Sequence, residues 1–467
     1  MPSKKRSLLA ASGSAGESVY VEDVFSTYLY TGTAADLTIT NDIDLDGEGG
    51  LVWIKNRTSS DNHVLVDTVR GANKTLASNN DLGALIEGGV TAFNTDGFVV
   101  DNMDRVNASG ENIVSWTFRK AEKFFDVVTY TGNSTAGRTI SHNLGSVPGC
   151  IIVKKTSAAE SWGVYHRSAS ASPEDGYLRL NDTDAYADNA GYWNDTAPTS
   201  TEFTLGANPV VNTDTETYVA YLFASDAGGF GADGSENIVS CGSFTTDGTG
   251  VATVDLGFEP QWILAKETAV ARGWSMLDTM RGLGVGQTSG SNNVLYANAS
   301  DAEDAGTTRY FNPSATGFTT KAHISSTYIY IAIRRPMKTP EAGTEVFGVD
   351  TRGRLNTVVP GYDTTFPIVD LAIVNDITGG SFGTSARLTG TSVVYTNTTA
   401  SESTGSNAKF DYMNGWYGFA GTNADQISWM FKRATGFMDV VAQVGNGVGG
   451  ASWNHNLGVV PEMIIGK

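Results

Sequence analysis

Histidine, the side chain most often used for acid–base chemistry and metal binding, occurs five times in this chain: His63, His142, His166, His323 and His455. None of these positions forms an H-x-x-H or H-E-x-x-H zinc motif. His142 and His455 both stand in the phrase HNLG, which a Val-Pro pair follows. Two looser copies of this phrase carry Asn41 or Asp255 instead. We therefore expect turn residues that hydrogen-bond the backbone, rather than ligand contacts.

Carboxylates are abundant but do not indicate a catalytic pair. With 50 Asp and Glu in the chain, spacing alone cannot identify the two that a glycosidase needs. Asp42, Asp44, Asp46 and Gly47 mimic the first half of a calcium loop, D-x-D-x-D-G. Position 12 of that loop would be Trp53 rather than Glu, so we favour a strand that ends in an acidic turn. No G-x-S-x-G, P-loop or Rossmann pattern occurs, and we predict no catalytic residue, no metal site and no cofactor.

Tryptophans are the better candidates for binding. Aromatic rings beside amides and carboxylates can bind glycans by stacking and hydrogen bonding, although tryptophan is also a common core residue in a β-sandwich. Five of them lie near turns, beside Asn, Asp or Thr: Trp162, Trp193, Trp274, Trp416 and Trp453. We take these five as candidate glycan or receptor contacts.

Charge and hydropathy exclude two classes of partner. The formal charge is −19, from 31 Lys and Arg against 50 Asp and Glu. A diffuse acidic surface repels phosphate, so we expect no nucleic-acid binding. No stretch reaches 18 apolar residues, so we expect no membrane insertion.

The first 26 residues read as an exposed arm. The apolar run LLAA is too short for the core of a signal peptide. Lys4, Lys5 and Arg6 contrast with the acidic remainder and are a candidate anchor on an acidic partner. The two cysteines, Cys150 and Cys241, stand in apolar strand contexts, which indicates buried free thiols and assembly in a reducing cytoplasm.

The elements that must position these residues are β-strands. Gly, Ser, Thr, Asn and Asp dominate the polar positions, which favours strands joined by turns over long helices. Short apolar and β-branched windows recur, such as YVAYLFA (218–224) and TYIYIAIRR (327–335). Short turns between strands give antiparallel sheets. Two such sheets packed face to face would bury alternate residues and leave polar residues outside.

The strands belong to an internal repeat of about 100 residues. The phrase HNLG-x-VP-x-x-II at 142–152 returns at 455–465, and LGFEP at 256–260 is a looser copy. VDTVRG (66–71) and LDTMRG (277–282) form a second element, which we align with a one-residue slip. The last strand of each repeat contains an equivalent residue, namely Trp116, Tyr221, Ile331 or Trp429. Their separations of 105, 110 and 98 residues match the size of a small β-sandwich domain.

We therefore predict an all-β chain, a tandem array of antiparallel, jelly-roll-like β-sandwich modules. The predicted units are an N-terminal arm (1–26), four repeats (27–122, 123–229, 230–342 and the divergent 343–435) and the start of a fifth repeat (436–467). The Pro- and charge-rich segment 335–347 is the best hinge candidate. Because the fifth repeat lacks closing strands, either the natural protein continues or this hairpin completes another subunit.

In their order along the chain, these phrases resemble the repeat-bearing virion proteins of marine tailed phages. The resemblance covers almost the whole chain, weakens at 348–410, and rests on VFSTYLY (24–30), LVWIKNR (51–57), SWTFRK (115–120), FFDVVTYTGN (124–133), HNLGSVP (142–148), LGFEPQWIL (256–264) and YIYIAIRRPMKTPEAGTEVF (328–347). It implies a structural or receptor-facing role on the virion and brings no catalytic residues with it.

From repeat and resemblance together we expect a non-enzymatic virion protein, assembled in the host cytoplasm and located in the tail rather than the head. It would be a fibre, spike or tip component that displays its modules for host attachment. The expected partners are other virion proteins, through the N-terminal arm, a host surface glycan or protein receptor, and further copies of the chain, with a trimer as the first guess. The alternatives are a capsid decoration or vertex protein and a glycan-degrading tail spike.

Overall fold

The structure is a computed structural model, and it describes residues 18–286, 293–304, 310–351, 360–376, 382–403, 408–418, 426–443, 449–450 and 452–467. Within these ranges the chain is almost entirely β-structure, in several antiparallel sheets. The predicted fold class, all-β with sandwich-like modules, is therefore confirmed.

The strands group into modules, each with a large and a small sheet. Module 1 consists of β1 (Phe25–Thr31), β2 (Leu37–Thr40), β3 (Gly50–Asn56), β4 (Val64–Asp67), β5 (Lys74–Thr75), β6 (Leu85–Ile86), β7 (Val90–Asn94), β8 (Gly97–Val100) and β9 (Asn112–Arg119). Its large sheet has the order β1-β9-β3-β4, and its small sheet has the order β2-β8-β7. Strands β5 and β6 form a separate pair.

Modules 2 and 3 repeat this plan. Module 2 consists of β10 (Phe125–Thr131), β11 (Arg138–Ser141), β12 (Cys150–Lys155), β13 (Gly163–His166), β14 (Gly176–Arg179), β15 (Ala187–Asp188), β16 (Glu202–Leu205) and β17 (Thr217–Phe223). Module 3 consists of β18 (Val239–Thr245), β19 (Val251–Asp255), β20 (Pro260–Glu267), β21 (Ser275–Asp278), β22 (Leu295–Tyr296), β23 (Tyr310–Ser314), β24 (Gly317–Lys321) and β25 (Thr327–Arg334). Their large sheets begin β10-β17-β12-β13 and β18-β25-β20-β21.

Module 4 is built in the same way from shorter strands. It consists of β26 (Phe347–Asp350), β27 (Tyr362–Asp363), β28 (Leu371–Asp376), β29 (Gly383–Ala386), β30 (Val394–Tyr395), β31 (Gly415–Trp416) and β32 (Gln426–Phe431). Its large sheet has the order β26-β32-β28-β29-β30. Helical turns are short throughout the described chain: α1 (Asp104–Asn107), α2 (Pro209–Asn212) and 3-10 turns at Val21–Asp23, Pro173–Asp175, Gly343–Glu345 and Arg387–Thr389.

The register of the large sheets repeats between modules. Trp116, Tyr221, Ile331 and Trp429 each lie opposite the third residue of the first strand in their module. The equivalence predicted for these four residues is therefore confirmed. The predicted slip between VDTVRG and LDTMRG is wrong, because Leu65 and Met276 occupy the same register position, two residues before Asp67 and Asp278.

The large sheets of modules 1 to 3 are buried on both faces. In β3 every residue from Gly50 to Asn56 is buried. Leu51 and Trp53 belong to one hydrophobic core, whereas Val52 and Ile54 belong to another. The expectation that one face of each sandwich sheet is polar and solvated is thus wrong for the large sheets of modules 1 to 3. Since both faces exclude water, these strands are continuous apolar runs instead of alternating ones.

One face of the large sheet in each of modules 1 to 3, here called the inward face, contributes to a single shared core. This shared core combines residues of modules 1, 2 and 3, including Trp116, Tyr221 and Ile331. On the outward side, the large and small sheets of modules 1 and 3 enclose separate cores, and module 4 has a fourth. Modules 1 to 3 are therefore joined through a common hydrophobic core and are not separate domains that follow one another along the chain.

Candidate functional site

Four of the five candidate tryptophans lie in the core. Trp162 and Trp416 are fully buried, and Trp193 and Trp274 are 2 % exposed. A ring without an exposed face cannot stack on a glycan, so the expected surface role is wrong for these four in this conformation. Trp453, which is 59 % exposed, has the exposure that such a contact requires.

The other predicted positions have mixed outcomes. Lys4, Lys5 and Arg6 lie outside the described residues, and their anchoring role stays a prediction. Cys150 and Cys241 are free and buried, as predicted. The acidic turn is a local structure in which Asp44 accepts a hydrogen bond from the Gly47 N–H (2.7 Å). Within the described ranges, no group of His, Cys, Asp and Glu side chains is arranged to hold a metal ion.

The predicted turn role of the HNLG histidines is confirmed. Nδ1 of His142 accepts a hydrogen bond from the Leu144 N–H, and Nδ1 of His455 accepts one from the Leu457 N–H, both at 3.2 Å. In the looser copies Asp255 and Asn41 accept from the N–H two residues further on, at 3.1 and 3.4 Å. The four side chains thus perform the same backbone-capping task.

The arrangement that the sequence analysis missed is a ring of contacts between modules 1, 2 and 3. One ring position is the residue directly before the fourth strand of the large sheet, which bonds to a main-chain carbonyl of the neighbouring module. The contacts are Trp162 Nε1 to Ala77 O (3.1 Å), Trp274 Nε1 to Arg179 O (2.8 Å) and His63 Nε2 to Tyr296 O (3.1 Å). Module 2 thereby contacts module 1, module 3 contacts module 2, and module 1 contacts module 3.

A second set of bonds, between main-chain atoms, closes the same ring in the opposite direction. The donors lie five residues after an equivalent asparagine, and the acceptors lie two residues after an equivalent lysine. The bonds are Ala84 N to Thr156 O (2.8 Å), Tyr186 N to Thr268 O (2.8 Å) and Glu303 N to Arg57 O (2.9 Å). Because each module both donates and accepts, the modules have a cyclic, pseudo-threefold order within one chain.

The last residue of each fourth strand places a buried polar group at a junction. The contacts are Tyr221 Oη donating to Asp67 (2.8 Å), Trp116 Nε1 donating to Asp278 (3.1 Å) and His166 Nε2 bonding to Tyr330 O (3.0 Å). Asp67 and Asp278 are also paired with Arg70 and Arg281, at 2.5 and 2.7 Å. The repeated D-T-x-R-G phrase was therefore a signal for a buried junction, since an arginine three residues after a buried aspartate can neutralise it.

Histidine at these junctions is kept neutral by burial. His166 is 1 % exposed, and burial lowers its pKa to about 4. His63 is fully buried, and burial, followed by the charge of Lys55, lowers its pKa to about 3. In both imidazoles Nδ1 accepts a hydrogen bond: His166 accepts from Ser168 N (3.2 Å), and His63 accepts from Trp53 Nε1 (2.9 Å). The neutral tautomer with a proton on Nε2 therefore fits the contacts.

Equivalent lysines occupy the third strand of each ring module. Lys55, Lys154 and Lys266 are each 0 % exposed, and burial lowers the pKa of each to about 8. Lys154 donates to Asp81 O of module 1 (3.0 Å), and Lys266 donates to Thr183 O of module 2 (3.2 Å). Lys154 and Lys266 thus bind main-chain carbonyls across the junctions, whereas Lys55 donates to Asn56 O and Ser59 O of its own module (2.6 and 3.2 Å).

Aromatic packing fills the centre of the ring. Phe118 of module 1 lies 5.6 and 5.5 Å, between ring centroids, from Phe125 and Phe223 of module 2. It also lies 5.7 Å from Trp262 of module 3. A single side chain thus contacts both neighbouring modules, and the interior is a packed core rather than a channel.

Module 4 is attached to the ring by ion pairs. Arg433 binds Glu259 of module 3 (2.6 Å), and Arg57 of module 1 binds Asp411 (2.7 Å). The segment predicted as a hinge is also held, because the N–H groups of Met337 and Lys338 donate to the Glu22 carboxylate at 2.6 and 2.7 Å. These contacts fix the fourth module against the ring.

The described cavities are small. One lies between the sheets of module 3, near Leu277 and Tyr328, and another lies between modules 3 and 4, near Glu259 and Leu388. Each has a volume of about 20 Å³, room for about one water molecule. Neither can accommodate a sugar, so ligand contacts at these two places are not supported. No helix of the described ranges is long and apolar enough to cross a membrane.

One family model matches the chain, over residues 21–335, and its description is a domain of unknown function, DUF7483. The match begins at the 3-10 turn before β1 and ends one residue after β25, so its limits coincide with modules 1 to 3. No curated protein and no solved structure matches the chain. The chain belongs to the DUF7483 family.

Proposed function

We propose that this DUF7483 protein is a non-enzymatic structural component of a phage virion, part of a tail fibre, spike or tip that displays its modules for host attachment. The observation that carries the proposal is the closed ring of contacts between modules 1 to 3, together with the resemblance of the phrases quoted above to phage virion proteins. A body with one shared core is suited to bearing load and to holding surface loops at fixed positions.

Repetition gives such a body a binding advantage. Equivalent loops on three modules, multiplied in an oligomer, would raise avidity without requiring a strong single contact. Trp453 is the exposed candidate for a glycan contact. Lys4, Lys5 and Arg6 are the proposed anchor to other virion proteins, and a variant with all three changed to Glu should lose incorporation into particles while the ring still folds.

Labelling of intact particles tests the location. Gold-labelled antibodies against modules 1 to 3 are expected to mark the tail end of purified phage. Labelling distributed over the head would instead support a capsid decoration or vertex protein, and the absence of label from washed particles would contradict a virion role.

A chemical assay separates a binding protein from a glycan-degrading spike. The purified chain is expected to bind host polysaccharide or whole host cells without producing new reducing ends. The Trp453→Ala variant should bind more weakly, whereas the Trp416→Phe variant, a conservative change in the core of module 4, should bind as the wild type does. New reducing ends in the presence of the wild-type chain would overturn the non-enzymatic proposal.

A further inference from the structure

Module 4 has an apolar sheet face that the ring modules keep buried. In module 1 the inward face comprises Phe25, Thr27, Leu51, Trp53, Val114, Trp116 and Phe118, none of them more than 4 % exposed. The equivalent residues of module 4, by register, are Phe347, Val349, Leu371, Ile373, Ile427, Trp429 and Phe431. Phe347 and Val349 are 39 % and 47 % exposed, and the other five are half-buried.

The ring-contact position shows the same difference. Phe382 precedes the fourth strand of module 4, where modules 1 to 3 have His63, Trp162 and Trp274. The N–H of Phe382 donates to the Asn397 side chain, as the N–H of Trp162 donates to the Asn181 side chain (3.2 and 2.9 Å). Phe382 is 36 % exposed, whereas its ring equivalents are at most 2 % exposed. Module 4 thus has the junction architecture of a ring module without the neighbouring module.

In modules 1 to 3, the inward face of a large sheet is covered by the inward faces of the neighbouring modules. Phe118 on the inward face of module 1 packs against Phe223 of module 2 and Trp262 of module 3, which occupy the inward faces of those modules. Like-on-like packing of these sheets is therefore established in this molecule. The inward faces of modules 1 to 3 are already buried in the shared core. In a second copy of the chain, the inward face that can pack against this one is therefore that of module 4.

We propose that a second copy of this chain covers the inward face of module 4, with module 4 contacting module 4. The face named above carries no charged side chain, so the net charge of −19 does not place like charges in the contact. Packing of this face on its own equivalent closes a symmetric homo-oligomer, because every copy presents the same patch. Sheets that pack in this way lie about 10 Å apart and interdigitate their side chains.

The C-terminal segment does not cover this face. Its apolar side chains point away from the protein: Val460, Met463, Ile464 and Ile465 are each 73–86 % exposed. A segment that packed on module 4 would bury these residues. The inward face of module 4 is thus left to another occupant, and the inference stands independently of the proposed virion role.

The solution mass of the 467-residue chain tests the inference. Light scattering after size exclusion, over a hundredfold range of protein concentration, should give a particle of two or more chain masses. Val349→Lys places a charge on the exposed edge of the face, and this variant should have the mass of a single chain. Val251→Lys makes the same change at a valine that is 41 % exposed on β19 of module 3, and should keep the wild-type mass.

Two controls exclude trivial outcomes. Circular dichroism and melting should show that both lysine variants are folded, and Phe382→Ser is a second variant, expected to give a single-chain mass, if Val349→Lys does not fold. A wild-type chain with the mass of one chain at every concentration would overturn the inference. Equal masses for wild type, Val349→Lys and Phe382→Ser would also overturn it, because the association would then use another surface.

Discussion

At the scale of single residues, the same polar positions recur with different chemistry. The position that ends the fourth strand is Asp67, His166 or Asp278, and each makes a hydrogen bond to another module. The two aspartates have an arginine partner, whereas the histidine is neutral and bonds to a carbonyl. A buried polar group needs a partner but not a particular one, so substitution at such a position is tolerated when the partner changes with it.

The neutral histidines predict an acid-sensitive ring. In the folded chain burial holds the pKa of His166 at about 4 and that of His63 at about 3, whereas histidine in an unfolded chain has a pKa of about 6.5. The unfolded chain therefore binds more protons between these values, and the free energy of unfolding decreases as the pH falls below about 6.5. Each of the two histidines should account for about 1–2 kcal/mol between pH 6.5 and 5.

Denaturant unfolding at a series of pH values measures this loss. His166→Gln keeps a donor for Tyr330 O but does not titrate, so its stability should fall less between pH 6.5 and 5 than that of the wild type. His455→Gln removes an exposed histidine and serves as the control. Identical pH profiles for wild type and His166→Gln would contradict the assignment.

At the scale of elements, the turns repeat as closely as the strands. Gly32 and Gly132 follow the first strands of modules 1 and 2, and their N–H groups donate to Glu111 O and Glu216 O. A Cβ atom on Gly32 would lie 2.0 Å from Ala108 O, and one on Gly132 would lie 1.9 Å from Thr213 O. Glycine is required at both positions because another backbone segment approaches within contact distance.

A glycine-to-alanine comparison tests this requirement. Gly132→Ala should lower the free energy of unfolding by about 1–3 kcal/mol, the usual cost of overpacking. Gly248→Ala is the control, since a Cβ atom there has no neighbour within 4 Å; its effect should stay within about 0.5 kcal/mol. Equal thermal stability of the two variants would contradict the close approach.

The sequence predicted the strands and turns well because both depend on local residues. The LG-x-x-P phrase and the apolar runs predicted the third and last strands, and the spacing of Trp116, Tyr221, Ile331 and Trp429 predicted their register. The strand order within a module and the two-sided burial of β3 and β9 were not predicted. A continuous apolar run is compatible with a strand buried on one face or on two, and the residues that cover the second face lie one or two modules away in sequence.

At the scale of the whole molecule, modules 1 to 3 of the predicted tandem array close into a ring. The cyclic contacts could not be predicted from one sequence, because a tryptophan such as Trp162 bonds to a carbonyl that any residue could supply. An indole side chain near a turn is as compatible with a glycan-binding platform as with a junction between modules. The candidate glycan site was therefore predicted poorly, and only Trp453 of the five is exposed.

The shared core predicts that modules 1 to 3 unfold together. Phe118→Ala removes the side chain that contacts modules 2 and 3 and should cost about 3–5 kcal/mol. Hydrogen exchange should then show lower protection of β17 and β20 as well as of β9. Phe366→Ala, in the separate core of module 4, should lower protection of β28 and β32 alone. Loss of protection confined to module 1 in the first variant would favour independent modules.

The contacts of Glu22 have a consequence for how such a chain can grow. Because its carboxylate binds the N–H groups of Met337 and Lys338, the polypeptide enters and leaves the ring side by side. A gene duplication could therefore append material after Arg335 without opening the closed ring. Adjacent ends also mean that the starting point is arbitrary: a permuted gene that begins at any of the three units could encode the same closed body.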